Sequence, residues 1–363
     1  MKTTSLFISP LLFLTFASGA HAYSSHIYAN TISAHNISVL QHTITQTAFN
    51  SFEGSMATHL GQQQTSNLSA PNSPDLYGRA PMYGAAPVYG EYNDDGLAGR
   101  SGGDGLNTNA ALNSIWFNWQ HLGDNAKFDD FSRLNTKYDM VMMGLAGGRA
   151  KMGNGISEWG LYTGYVGGTL ENSDISIDGQ GGYFGVYNGF SIGAFNLSTT
   201  INGGVIDNAS DTQNGTDDFT NFWVGGAINA TYDIALDNTF TLQPGIHAGY
   251  TWIKSENYTS VSGDLIENDA FSMLELSPEI RAIKHIGNGW FGSLNAKYAM
   301  IFANGGDIVV NDNSISELEI GNFVEYCISL EKSISNVNMS ANFGRRDGAR
   351  NGWIGGLNIK VIF

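Results

Sequence analysis

Phe240-Thr241-Leu242-Gln243-Pro244-Gly245-Ile246-His247-Ala248-Gly249-Tyr250-Thr251-Trp252 alternates without a break. Its even positions are apolar or aromatic, and its odd positions are polar or glycine. Successive side chains of a strand point to opposite faces, so this stretch builds one greasy face and one polar or open face. Leu318 to Leu330, Trp290 to Phe302, Leu274 to Ala282, Phe222 to Leu236 and Val337 to Phe343 repeat the pattern. Most of these runs exceed the usual strand of about five or six residues. Twelve such segments begin near residues 114, 138, 157, 181, 193, 219, 239, 270, 289, 316, 336 and 352.

The connections are expected to alternate in length. Asn188-Gly189, Leu236 to Thr239, Ile286 to Gly289 and Lys332 to Asn336 read as short turns. Gly123 to Thr136, Asp207 to Asp218, Glu256 to Asp269 and Gly305 to Ser314 read as longer, acidic loops. An even strand number, alternating connections, an apolar outer face and aromatic strand ends mark a transmembrane β-barrel. A β-sandwich shares the alternation but not strands of this length. The expected fold is therefore all-β, a 12-stranded antiparallel transmembrane β-barrel at residues 113–363, preceded by an amphipathic helix and a flexible linker. On this phase His247, Glu275, Glu279, Arg281, Lys297, Glu325, Trp223 and Cys327 point into the lumen. Unpaired buried charges are costly, so Arg281 and Lys297 are expected to neutralise Glu275, Glu279 and Glu325.

Composition agrees. The 363 residues include 46 glycines, 16 Tyr, 20 Phe and 7 Trp, and only 14% are charged, against about 25% in an ordinary domain. With 33 acidic and 17 basic side chains the net charge is −16, and no Lys/Arg stripe offers itself to nucleic acid. The lone Cys327 excludes an internal disulfide framework. No apolar run is long enough for a membrane-spanning helix.

The N-terminal part divides in three. Lys2, the apolar run Leu6 to Phe16 and Ala20-His21-Ala22 have the form of a secretory signal peptide at residues 1–22. In residues 23–60, Ile37, Leu40, Ile44, Ala48, Phe52, Met56 and Leu60 recur every three or four positions, one stripe of a helix over Ile32 to Leu60. Glu53 is its only acid. Two placements stay open: on a surface, or threaded through a wet channel. Residues 61–112 have linker composition and hold Tyr77-Gly78, Tyr83-Gly84 and Tyr89-Gly90 in a six-residue repeat, too short to build a solenoid.

With these features in place a resemblance is visible. Ile115-Trp116-Phe117-Asn118-Trp119 occupies the place of the opening strand of autotransporter (type V secretion) barrels. Gly185-Val186-Tyr187 resembles that family's fourth strand. Leu242-Gln243-Pro244-Gly245 is similar to its seventh, with Gln243 in place of an acid. Trp353 to Phe363 ends with Leu357, Ile359, Val361 and Phe363 alternating. The resemblance implies that Phe363, Val361 and Ile359 form the signal read by the barrel-assembly machinery, with periplasmic chaperones and outer-membrane lipid as further partners. It also implies that the helix carrying Ile37, Leu40, Ile44, Phe52 and Met56 plugs the pore. Fewer residues precede the barrel than in usual family members. The expected function is thus an outer-membrane barrel that translocates or displays its own short N-terminal segment. The alternative is a free-standing barrel acting as a pore, or as an adhesin whose long loops bind a host or surface ligand.

Catalytic readings fail on chemistry. His247 and Ser277 are the best candidates for a base and nucleophile, but a wide lumen supplies neither oxyanion donors nor an oriented base. No catalytic residue, cofactor or metal ligand is assigned. Gly102-Gly103-Asp104-Gly105 reads as a hinge rather than a calcium repeat, and Asp211 to Asp218 as a solvated run.

Overall fold

The computed structural model describes residues 28–50, 114–127, 133–152, 155–212, 215–311, 313–315 and 321–363. The signal-peptide reading, Phe52, Met56, the Tyr-Gly repeat, Gly102 to Gly105, Leu318 and Ile320 lie outside these residues.

Twelve long strands form the wall: β1 Ser114–Ala126, β2 Leu134–Met152, β3 Gly155–Glu171, β4 Ser176–Ile192, β5 Phe195–Thr212, β6 Gly215–Tyr232, β7 Phe240–Ser255, β8 Phe271–Gly287, β9 Trp290–Gly305, β10 Phe323–Ile334, β11 Val337–Gly348 and β12 Arg350–Ile362. Each pairs antiparallel with its sequence neighbours, and β1 pairs with β12 from Ser114↔Ile362 to Ala126↔Arg350. Closure gives each strand a paired neighbour on both sides, so backbone groups within the wall bond to one another, the condition for crossing lipid with strands. The alternation predicted from Phe240 to Trp252 holds. Ile246, Tyr250 and Trp252 are exposed on the outside, whereas Gln243, His247 and Thr251 are buried within.

Three connections differ from the sequence reading, the first of them Gly123 to Thr136, whose two ends belong to the paired strands β1 and β2. Asn188-Gly189 is not a turn: both residues pair on β4, and the hairpin closes at Gly193-Ala194. The pair Asn288-Gly289, which has the same composition, is a turn, with φ of 52° and 75°, the left-handed geometry that favours this dipeptide. Asp207 to Asp218 is not a long loop either. β5 and β6 stay paired up to Thr212↔Gly215. Strands β2 to β6 run 17–19 residues, more than the 9–11 or so needed to span a bilayer. Polar composition there marks the exit from lipid, not the end of pairing.

At one end, the turn rim, the described connections run from two to seven residues and the first and last strands begin and finish. The opposite end, the loop rim, carries the longest connections. There Tyr258–Thr259, Leu265–Asn268, Ile308–Val310 and Asn313–Ile315 form a separate four-stranded sheet. Burial pushes the Tyr258 phenol above its ordinary pKa. On the turn rim, Asp237 accepts hydrogen bonds from the Thr239 hydroxyl (2.7 Å) and amide (2.6 Å). These bonds hold its carboxyl below the usual carboxylate range.

Candidate functional site

The helix α1, residues 28–50, lies inside the barrel. Every residue from 29 to 45 is buried, which settles its placement in the lumen. Its two faces match two halves of the wall. Ile37, Leu40, Ile44 and Ala48 join a single apolar cluster with Trp116 of β1, Tyr138, Met140 and Met142 of β2, Tyr162 of β3, Tyr183 and Tyr187 of β4 and Trp223 of β6. On the opposite face, 100° per residue brings His35, His42, Gln46 and Phe49 into one stripe, and these meet β7 and β8. His35 stacks on Phe271, with ring centroids 4.5 Å apart, and Phe49 meets His247 edge-on.

The Gly185-Val186-Tyr187 motif has a local reason. A side chain at Gly185 would lie 2.3 Å from the Tyr162 ring, so glycine makes the seat for that tyrosine. Val186 faces outward and Tyr187 inward. Tyr162 Oη then receives a hydrogen bond from Asn202 and shares one with Thr200. In the Leu242-Gln243-Pro244 motif, Gln243 donates to Asp233 Oδ1 at 2.7 Å.

The charged half of the lumen is an alternating row across neighbouring strands. Glu279 of β8 faces Lys297 of β9, Lys297 faces Glu325 of β10, and Glu325 faces Arg346 of β11. Arg346 faces Gly352 of β12, which faces Asp124 of β1. A Cβ at Gly352 would sit 2.3 Å from the Asp124 Cα. Glycine there opens the gap across which Arg346 Nη1 reaches Asp124, at 3.6 Å. Lys297 Nζ lies 3.2 Å and Arg346 Nε 2.8 Å from Glu325. Arg350 grips Asp124 with a two-pronged fork of 2.6 and 2.9 Å. Lys360 meets Glu158 at 3.4 Å.

The helix is fastened to this row and to the wall above and below it. Ser33 Oγ donates to Asn208 Oδ1 and accepts from Asn221 Nδ2. Arg350 donates to Asn36 Oδ1, and Arg346 to Thr43 Oγ1. His42 Nδ1 stands 2.7 Å from Glu275, and His42 Nε2 2.6 Å from Lys297 Nζ. An ammonium has only N–H to give, so Nε2 accepts and the ring proton sits on Nδ1, donated to Glu275. Gln46 Nε2 reaches His247 Nδ1 at 3.2 Å. Near the turn rim Arg281 Nη2 donates to Asn50 Oδ1 at 3.1 Å.

Of the lumen residues read from sequence, His247, Glu275, Glu279, Lys297 and Glu325 are brought together and buried. Arg281 faces the lumen lower down, and Glu275 and Glu325 are met by His42, Lys297 and Arg346. Sequence reasoning missed Arg346, Arg350, Asp124, Glu158 and Lys360. Continuing the period-two count past Phe343 would have turned Arg346 inward; Asp124 was assigned to a loop, although β1 runs on to Ala126. His247 and Ser277 are register partners, but Ser277 Oγ donates to Glu275 at 2.5 Å. No nucleophile–base bond is formed between them. Gly189-Phe190-Ser191-Ile192-Gly193 fits the letters G-x-S-x-G but runs along the end of β4 into a hairpin, not the strand-to-helix elbow that exposes a nucleophile. Its Ser191 donates to Asn196.

A closed strand barrel with a lipid-compatible outer face and a helix from the same chain filling its lumen belongs to the class of plugged outer-membrane-type barrels. Within that class, the family model described as autotransporter beta-domain matches residues 115–348. The chain belongs to the autotransporter β-domain family. The transport unit of the autotransporter AIDA-I from Escherichia coli superposes with a TM-score of 0.57 at 15% identity, over 71% of this chain and 93% of that one. The β-domain of the Bordetella autotransporter BrkA gives 0.58 at 13% identity, over 70% and 100%. The translocator domain of the autotransporter NalP from Neisseria meningitidis gives 0.56 at 11% identity, over 72% and 91%. No curated protein sequence matches the chain.

Proposed function

We propose that this barrel places the start of its own chain on the cell surface and then keeps α1 as a plug, without catalysing a reaction. The observation that carries this reading is the direction of α1. Its first residue, Tyr28, packs against the Ile266–Ile308–Val310 cluster of the small sheet on the loop rim. Its last, Asn50, meets Arg281 near the turn rim. In outer-membrane barrels the short turns face the periplasm and the long loops the exterior. The chain ahead of residue 28 is then delivered outward. Asn50 and Ser114 both stand toward the turn rim. A free-standing open pore fits poorly with a lumen in which α1 is buried on all sides.

Epitope tags test the direction. A tag inserted after Ser24 is expected to bind antibody on intact cells, and one at residue 65 only after permeabilisation. The reverse pattern, or two silent tags in intact cells, overturns the proposal. Membrane assembly rests on the outward alternation of Leu357, Ile359 and Phe363, all exposed on β12 and its end. The barrel-assembly machinery is expected to read this ending. Deleting Phe363 is expected to leave the chain in the periplasm for degradation, measured by cell fractionation; unchanged membrane levels contradict it.

A further inference from the structure

We infer that His42, His247 and Glu275 form a binding site for a zinc-class divalent cation that ties the plug to the wall. His42 comes from α1, His247 from β7 and Glu275 from β8. One ligand atom of each lies within 4.8 Å of the other two, and all three residues are buried. Ligand atoms on one tetrahedral zinc ion stand about 3.4 Å apart, so side-chain adjustments of about an ångström bring the three onto one centre. Imidazole nitrogens with a carboxylate suit zinc, cobalt, nickel and copper rather than calcium or magnesium.

Two independent features point to a ligand there. The three residues line one small cavity of about 10 Å³, the scale of a single water or ion. Gln41 lines the same cavity, is 3% exposed, and neither its amide nitrogen nor its oxygen has a hydrogen-bond partner among the described residues. Its oxygen completes a fourth position. Met273, also on the cavity wall, adds a soft thioether beside it.

The surrounding groups provide the outer support that metal-bound histidines require. When Nδ1 of His42 takes the ion, the ring proton passes to Nε2, so the Lys297 ammonium, 2.6 Å from that nitrogen, swings away toward Glu325 and leaves Nε2 facing Glu325 Oε2, 4.0 Å away. Lys297 keeps the other oxygen of Glu325 at 3.2 Å. His247 turns Nδ1 toward Gln46, which leaves Nε2 for the ion; the Gln46 amide then turns over and accepts from Nδ1.

The test uses the full mature chain without an affinity tag, folded in detergent, and cobalt(II) as a spectroscopic probe. One tightly held cobalt per chain is expected, with visible ligand-field absorption that zinc bleaches by displacement. His247→Gln and Glu275→Gln are each expected to abolish that absorption while the barrel still migrates as a folded, heat-modifiable band. His121→Gln and His285→Gln, which alter histidines elsewhere on the chain, are expected to leave it intact. Absence of bound cobalt from the folded parent overturns the proposal. So does absorption that survives in a folded His247→Gln or Glu275→Gln chain.

Discussion

Deleting residues 23–60 is expected to turn a closed barrel into an open channel. Residues 29–45 are buried throughout, and a helix with its side chains is about 10–12 Å across. Its removal leaves a bore wide enough for hydrated ions, lined on one side by the Glu279–Lys297–Glu325–Arg346 row. In planar bilayers the shortened chain is expected to show single-channel steps at least about tenfold above the leak of the parent, given a bore of that diameter. The wall needs no help from α1 to close, because β1 pairs with β12 over its whole length. Equal, flat traces from both chains contradict the plug; large steps from the parent contradict it too.

Replacing Glu325 by alanine is expected to produce the largest loss of stability among single lumen changes. Glu325 is the shared counter-ion of Lys297 at 3.2 Å and Arg346 at 2.8 Å, and both cations are buried. Breaking a buried pair from one side costs about 3–5 kcal/mol, because a charge is left in a low-dielectric site with no partner. The measurement is urea unfolding of the barrel in lipid vesicles. The double replacement Lys297→Met with Glu325→Leu is expected to recover part of the loss, because it removes one of the two stranded cations and leaves Arg346 with Asp124 at 3.6 Å. A Glu325→Ala barrel within about 1 kcal/mol of the parent would mean that water reaches the row and screens it.

Strand number, phase and lumen address were legible because lipid imposes a strict rule. One face of each strand must be apolar, so parity alone assigns His247, Glu275, Lys297 and Glu325 to the interior. The limits of the strands were less legible. β5 and β6 carry Asp207, Asp211, Asp217 and Asp218 while still paired, and the eye takes such a run for a loop. Asn188-Gly189 has turn chemistry but is held extended by neighbours on both sides, Trp159 and Glu158 of β3 and Thr199 and Ser198 of β5. A local signal lost there to two ladders of hydrogen bonds.

The helix was half legible. Its apolar stripe stands out at Ile37, Leu40 and Ile44, but the opposite stripe of His35, His42 and Gln46 carries no formal charge and fits a surface and a wet channel equally. Only the fold brings His42 between Glu275 and Lys297. A contact between residues more than 200 positions apart leaves no trace in local spacing. Asp124, Arg346 and Arg350 were obscured in a related way, because charges near strand ends look like solvent-facing residues until register places them across the lumen.

The central claim is that α1 lies in the lumen with its start at the loop rim. Paired cysteines in native membranes, on a background with Cys327→Ser, test it most directly. Ser33 and Asn221 are joined by a 2.7 Å hydrogen bond, and Asn50 and Arg281 by one of 3.1 Å at the other end. The pairs Ser33→Cys/Asn221→Cys and Asn50→Cys/Arg281→Cys are each expected to be joined by a short bifunctional thiol reagent. The swapped pairs Ser33→Cys/Arg281→Cys and Asn50→Cys/Asn221→Cys are expected to stay separate. Cross-linking of the swapped pairs, or of none, contradicts the account.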